Sequence, residues 1–592
     1  VARRISQERA ETIVRQFYRL EEYFGRQGVS RRQLLRMIAK GSAAATVLPV
    51  LLACGAASDK DVAEATAPAG GSTTATSVPG SPTTGGTQPP SGNGKRGGTI
   101  IIGTLGEAQT INPLLVNETE GTWRCRMMFG EFVQLDPETL KPVPGIAKEW
   151  TISDDGREYT FTIQDGVTFS DGTPLTAEDI EFTLYGILKK ETASPHLARF
   201  LPIAGAQAYN EGTTDTVSGI QVVDDKTIKI TTEEPFAAFL VNLRHLRPLP
   251  KHLLDGKDLR EDAFFQNPVG AGPFAFKSWS TGQDFVAVRN EYYWEEGKPY
   301  LDGFTHRVIP DAQTLVISLQ TGQIHGTDYA QPTQAEDLKQ QENLVVLTVP
   351  PGKDINGWSF GQNHNEALRD KRIRRAIAMA LDTETFASDF LLGLGTPANG
   401  PIARGNWAYH EGLEPIPYDP AEAKRLVEEA GATGLTLSFT TNAGNHLRED
   451  WLTFTQQSLS EIGINVQPDL KEWSQVVQAG TEGTFDVICP TWAGATYDPD
   501  ELFDALGTGK ARNVFGYSNP EFDEVMQQGR TTFDIEERAR IYARAQEILL
   551  EDVPVFYAWD RPFIYVVSKD YEGYVNNIIT LFQDLQNWTT VE

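Results

Sequence analysis

From Thr99 onward, short apolar runs alternate with polar punctuation. Thr99-Ile100-Ile101-Ile102-Gly103 reads as a buried strand, and Tyr159 to Gln164 alternates strictly between apolar and polar residues, the pattern of a half-buried strand. Asp155-Gly156, Asp165-Gly166 and Asp171-Gly172 mark tight turns around it, because glycine tolerates positive φ and aspartate bonds its own backbone. A helix is predicted from Thr176, with Asp179 completing a variant capping box and Ile180, Leu184, Ile187 and Leu188 forming one face. Thr227 to Thr231 follows an Asp-Asp-Lys turn as a further strand, and Val286 and Val288 lie in another alternating run.

The second half is more helical. Ile373, Ala376, Ile377, Ala380 and Leu381 share a stripe, and the arginines and lysine from Arg369 to Arg375 read as its solvated flank. A second helix starts at Asp419-Pro420, with aspartate as N-cap and proline at the first helical position. It runs through Ala423, Leu426, Val427 and Ala430 to Gly431 and is followed by a strand from Leu435 to Thr440. A third helix spans about Glu536 to Leu550, and two strands, Val555 to Trp559 and Ile564 to Val567, come after Pro554. The mixture predicts an α/β protein, and no fixed-period repeat is visible.

The N-terminal region follows different rules. Arg31-Arg32 precede a mostly apolar run from Met37 to Ala53 that stops at Cys54, the order of an export signal of the twin-arginine type; Leu51-Leu52-Ala53-Cys54 resembles a bacterial lipobox, with Cys54 the acylated residue. The apolar run is short for a membrane span. From Gly55 to Gly98 the 44 residues contain no aromatic residue, leucine or isoleucine. Such a segment buries too little surface to offset its ordering entropy and is expected to act as a tether reaching roughly 35 to 40 Å.

The 592-residue chain carries a net charge of −28, and loss of the ten basic and four acidic residues before Cys54 takes it to −34. That balance excludes a nucleic-acid partner and a polybasic membrane patch, favours solubility, and mildly favours cationic solutes by long-range steering. Besides Cys54 only Cys125 and Cys489 remain, so at most one intramolecular disulfide is available. The length from Lys95 to Glu592 suits two or three lobes with a cleft between them.

Pro144 to Trp150, the run from Asp154 to Leu184, Asn267 to Phe274, Arg289 to Trp294, Asp370 to Ile377, Tyr517 to Asp523 and Ala545 to Pro554 together resemble, in the right order, the signature blocks of the peptide/nickel-type extracellular solute-binding family 5. The resemblance spans about residues 97 to 575. It implies a periplasmic-binding-protein-like type II fold with three lobes and a ligand cleft between lobes I and III. Lobe I would comprise 97–140, 266–350 and 551–592, lobe II 141–265, and lobe III 351–550, after a signal at 1–53 and a tether at 54–96. It implies an importer component working with ABC permease and ATPase subunits, held outside the cytoplasmic membrane by its lipid anchor alone, monomeric and without a cofactor.

Within that frame the cleft-facing candidates are Glu107 and Gln109 after the first strand, Trp358, Phe360 and Asn363, Trp407, and the loop holding Trp492, Ala495, Tyr497 and Asp498. Aromatic rings supply flat apolar walls for sugars, peptide side chains or aromatic solutes alike. In similar peptide binders an aspartate at the position matching Ala495 pairs with the peptide ammonium. A buried ammonium against alanine has no charged partner. Asp498 is either a substitute for it or a turn former before Pro499.

Two other readings stay open at this level. A secreted hydrolase finds no Gly-x-Ser-x-Gly, His-Glu-x-x-His or Cys-x-x-Cys motif, and the eight histidines are scattered in sequence. Capture of a metal chelate would draw on His364 or His410, residue types that more often serve structure; no metal ligand is assigned.

Overall fold

The computed structural model describes residues 95–591 apart from 138, 492 and 577–579. Arg31, Arg32, Cys54, Trp492 and nearly all of the tether lie outside the described residues. Among the described residues no helix is long and apolar enough to cross a membrane.

Two strands carry the architecture. Leu344–Phe360 is 17 residues long and Val555–Ser568 is 14, and they pair antiparallel along their lengths. Strands of ordinary length serve one core; these are long enough to serve two. On one side, Val555–Ser568 pairs with Gly326–Ala330, followed by Thr99–Thr104, Gly303–Val308, Asp284–Arg289 and Phe274–Trp279. On the other, Leu344–Phe360 pairs with Val487–Ile488, followed by Thr436–Asn442 and Asn465–Lys471, and Thr396–Pro397 adds to Val555–Ser568. The result is one sheet of eleven strands.

The ladder between the two long strands shifts register between Val349 and Asp354, opposite Phe563 and Arg561. Pro350, Pro351 and Pro562 fall at this place, and proline has no N–H to give a ladder. The sequence predicts two strands split by Asp560-Arg561-Pro562; the chain instead runs on as one, because the proline sits where the pairing is already interrupted. Farther along, Gly357 lets the strands close up: a Cβ there would stand 1.9 Å from the Phe556 carbonyl oxygen.

The apolar cores divide at the same crossing. Val349, Tyr565 and Val567 belong to the cluster that includes Ile100, Phe161, Phe239 and Phe304, and Ile564 and Val566 pack with Leu315 and Leu338. Trp358, Phe360, Phe556 and Trp559 pack with Phe439 and Trp451, and Ile355 and Tyr557 with Leu502 and Tyr542. A separate antiparallel sheet of four strands, ordered Ala147–Ile152, Glu158–Ile163, Thr227–Thr231, Ile220–Asp224, joins the first core. Its Tyr159, Phe161 and Ile163 face inward at every second position, each contributing about 1.5–3 kcal/mol by burial.

The predicted helices are found with their caps. Ala177–Leu188 starts at Thr176, whose amide donates to Asp179 Oδ2 at 2.9 Å, and Pro420–Glu429 starts at Asp419, which accepts from the Glu422 amide at 2.9 Å. The third runs over Ile535–Asp552. One expectation is corrected within Lys371–Met379: Arg374 is buried, not solvated. Its guanidinium donates to the carbonyls of Leu368 at 2.6 Å and Val553 at 2.9 Å, closing the C-terminal end of the long helix. Cys125 and Cys489 are both buried and are not joined to each other, so the available disulfide is not formed.

Candidate functional site

The strands Thr99–Thr104, Gly303–Val308 and Gly326–Ala330 run parallel, and Ala330 pairs with Ile564 beside the crossing. Their C-terminal ends, and the segment after Thr104, therefore lie at the crossing end of the first core. From the other core comes the loop 493–500. Its Tyr497 ring lies under the Arg244 guanidinium at 3.6 Å, and Arg244 Nη2 reaches Glu501, just after the loop, at 3.3 Å. Side chains of both cores thus meet at Tyr497.

The loop is tied down from behind. Ala495 is buried, bridges to Ile402, and its amide donates to the Pro401 carbonyl at 2.8 Å. Asn406 Nδ2 donates to the carbonyl of Thr496 at 3.0 Å, and the half-buried Trp407 packs between Arg538 and Tyr542. Four expected residues, Trp407, Ala495, Tyr497 and Asp498, are brought together in this way.

Asp498 is the turn former of the two alternatives left open by the sequence alone, its carboxylate accepting the Asp500 amide and its carbonyl the Glu501 amide, and the same carboxylate is also paired internally. It is buried and receives both terminal nitrogens of Arg538, at 2.9 and 3.1 Å, as well as the Asp500 amide at 3.0 Å. Asp500 accepts two hydrogen bonds from Arg530, both at 2.8 Å. Burial still outweighs Arg538 and holds Asp498 above the ordinary carboxylate range. Neither carboxylate is left over for a solute ammonium.

Other expected residues separate. Trp358 and Phe360 are corrected to core residues: both are fully buried, and the Trp358 indole donates to Thr455 Oγ1 at 2.9 Å. The reason is distance along the strand, since Phe360 stands about 26 Å beyond Gly352. Asn363, farther on, is exposed beside Gly516. Glu107 stands after the first strand as expected, but its carboxylate is spent on Arg124 at 2.7 Å, the Ala108 amide at 2.8 Å and the Gly282 amide at 2.7 Å. Gln109 is exposed, and its amide donates to Glu118 Oε1 at 3.3 Å.

Two groups of residues were not anticipated. Glu118 caps Thr119–Phe129 by accepting the Gly121 amide, and burial, then the charge of Glu120, pushes it up to about 8. Glu120 accepts from the Tyr329 hydroxyl. The second group is basic: Arg244, which also reaches Glu501 at 3.3 Å, lies near Arg199, Arg247, His196 and His245. No spacing announces it, because His196 and His245 are far apart in sequence and meet only through the fold. Among the described residues no group of three or more His, Cys, Asp or Glu is placed to hold a metal ion.

Residues 141–513 match the family model of bacterial extracellular solute-binding proteins, family 5 (middle region). The oligopeptide-binding protein AppA of Bacillus subtilis is 29% identical over 526 residues, covering 84% of this chain and 92% of that protein. The probable D,D-dipeptide-binding periplasmic protein DdpA of Escherichia coli is 27% identical over 493 residues, covering 81% and 91%. The solved structure of B. subtilis AppA with a nonapeptide superposes with a TM-score of 0.77 at 26% identity, covering 84% of this chain and all of that one (100%).

Proposed function

The chain belongs to the bacterial extracellular solute-binding proteins of family 5, and from that premise we propose that it is the substrate-binding component of an ABC importer, capturing a small polar solute by closing two lobes about it. The observation that carries this reading is that Arg244, from a segment packed on one core, meets Tyr497 and Glu501 at the 493–500 loop of the other, at 3.6 and 3.3 Å. The cores are joined by two strands whose pairing is interrupted at prolines. A solute touching both sides stabilises the closed form by its differential affinity, with no covalent step required.

In this reading the lobes follow the expected boundaries, with 97–140, 266–350 and 551–592 as lobe I, 141–265 as lobe II and 351–550 as lobe III. The hinge of this reading is the interrupted pairing at Pro350-Pro351-Gly352 and Pro562. Cys54 carries the lipid anchor and Arg31-Arg32 the export signal, which puts the protein outside the cytoplasmic membrane, a monomer docking on permease and ATPase partners. Relatives named for peptides make peptides the first solutes to try. Ala495, with Asp498 and Asp500 already paired to arginines, argues that a free peptide N-terminus is not what this loop recognises.

Thermal unfolding of the full chain against panels of peptides, oligosaccharides and metal chelates tests the proposal. A solute at a hundred times its dissociation constant is expected to add about 2.7 kcal/mol. A response to none of the classes, from protein shown by mass spectrometry of the denatured sample to carry no retained solute, refutes it.

A further inference from the structure

The segment around His196 and the turn Leu243–Arg247 bring five nitrogen-bearing side chains together beside Tyr497. The rings of His196 and His245 lie tilted at 30° to each other with centroids 4.8 Å apart. Among the described residues neither nitrogen of His245 has a hydrogen-bond partner, and His196 has only a loose approach to the Val116 backbone. Arg247 is 1% exposed; one terminal nitrogen reaches Glu131 at 3.3 Å, while its Nε and Nη1 are buried without partners among the described residues. Arg244 gives Nη2 to Glu501 and its face to Tyr497, leaving Nε buried and without a partner among the described residues. Arg199 stands near both imidazoles and gives Nη1 to the Pro195 carbonyl at 3.3 Å.

Buried donors without acceptors are rare in folded proteins. Here they are concentrated in one place, and they belong to groups that are cations or become cations. The nearby carboxylates do not cancel them: Glu131 is shared with Arg126, Glu501 also accepts the Thr496 amide, and Asp504 serves Arg530. An overall acidic protein thus holds a locally positive cluster at the place where its two cores meet.

We propose that His196, His245, Arg244 and Arg247 form the subsite for an anionic group of the solute, a carboxylate or a tetrahedral oxyanion. The inference rests on the importer reading and narrows its substrate class. Arg244 then has two tasks: it bonds the anion through Nε, and through Glu501 and Tyr497 it reports the anion's presence to the other core. An anion placed among these groups also favours protonated imidazoles. Burial, followed by the neighbouring arginines, holds both histidines well below the ordinary imidazole range when the subsite is free, so they are neutral near pH 7. The groups facing them are the Val116 backbone, Arg199, Arg244 and Arg247, with Glu131, Glu501 and Asp504 one layer out. Binding therefore takes up protons, and affinity rises as pH falls, by up to about tenfold per pH unit for each proton taken up.

The test is calorimetric titration of the full chain with sodium sulfate and with sodium succinate at constant ionic strength, between pH 8.5 and 6.5, where sulfate stays fully charged and succinate remains mostly the dianion. Saturable binding of one or both, tighter at the lower pH, supports the proposal, and the responding probe tells oxyanion from carboxylate. Arg244→Gln and His245→Gln are each expected to weaken binding by about tenfold or more, and His245→Gln is expected to abolish part of the pH dependence. If Arg244→Gln fails to fold, His245→Gln decides alone. Binding untouched by the variants, or no binding of either anion, overturns the subsite. A parallel arm uses peptides amidated at the C-terminus and free of Asp and Glu. If these raise the thermal midpoint as strongly as their free-acid forms, the importer reading stands and the anion subsite falls; if no solute of any class acts, both fall.

Discussion

Replacing Arg538 with methionine is expected to destabilise the protein by about 3–5 kcal/mol, because it leaves Asp498 charged and unpaired in the interior. The same guanidinium donates to the Gly529 carbonyl at 3.0 Å and lies over Trp407, so the loop 493–500 and the segment 401–408 lose their common support. The loss depends on pH. Asp498 is already above its ordinary range, and without Arg538 it rises further. A carboxyl raised in the folded state binds its proton more tightly there than in the unfolded chain. The variant's stability therefore falls as pH rises from the unfolded value, about 4, through the folded one. Denaturant melts should show a larger deficit at pH 8 than at pH 5, and Asp498→Asn in the same chain should recover part of it. A deficit that is constant across pH, or under 1 kcal/mol, would mean that the pair is not the buried clamp described here.

Trp358→Ala is expected to cost a similar amount, about 3–5 kcal/mol, by opening a cavity against Phe439 and Trp451 and stranding Thr455. Its effect on solute affinity, measured on the folded protein, should stay within about twofold. A variant that folds with near-normal stability but loses affinity would restore Trp358 to the cleft wall.

The contrast between these two tryptophan-bearing regions shows what the sequence carries and what it does not. Capped helices and alternating strands are local, so Asp419-Pro420, Thr176 with Asp179, and the Tyr159–Gln164 alternation were legible one window at a time. The family blocks added the order of the chain. What stayed hidden depends on long-range placement. Asp560-Arg561-Pro562 looks like a break, and only its position opposite Pro350-Pro351 makes it a crossing within one strand. Trp358 has the composition of a binding wall, and the length of strand beyond the crossing puts it in a core. Asp498 could be assigned only once Arg538, forty residues later, was seen against it. The basic group was the least visible, since Arg244, His245 and Arg247 share a turn but His196 and Arg199 come from another segment. Net charge pointed toward cations, and the local field at the cores' meeting place points the other way; burial decides which charges a solute meets.

Closure is the central claim, and a distance measured across the cleft tests it most directly. Spin labels at Thr213→Cys and Glu524→Cys, two exposed positions on opposite sides of the crossing, would be placed in a chain carrying Cys54→Ser, with Cys125 and Cys489 protected by burial. Addition of a saturating solute is predicted to shorten and narrow the distance distribution relative to solute-free protein. Identical distributions with and without bound solute would contradict it.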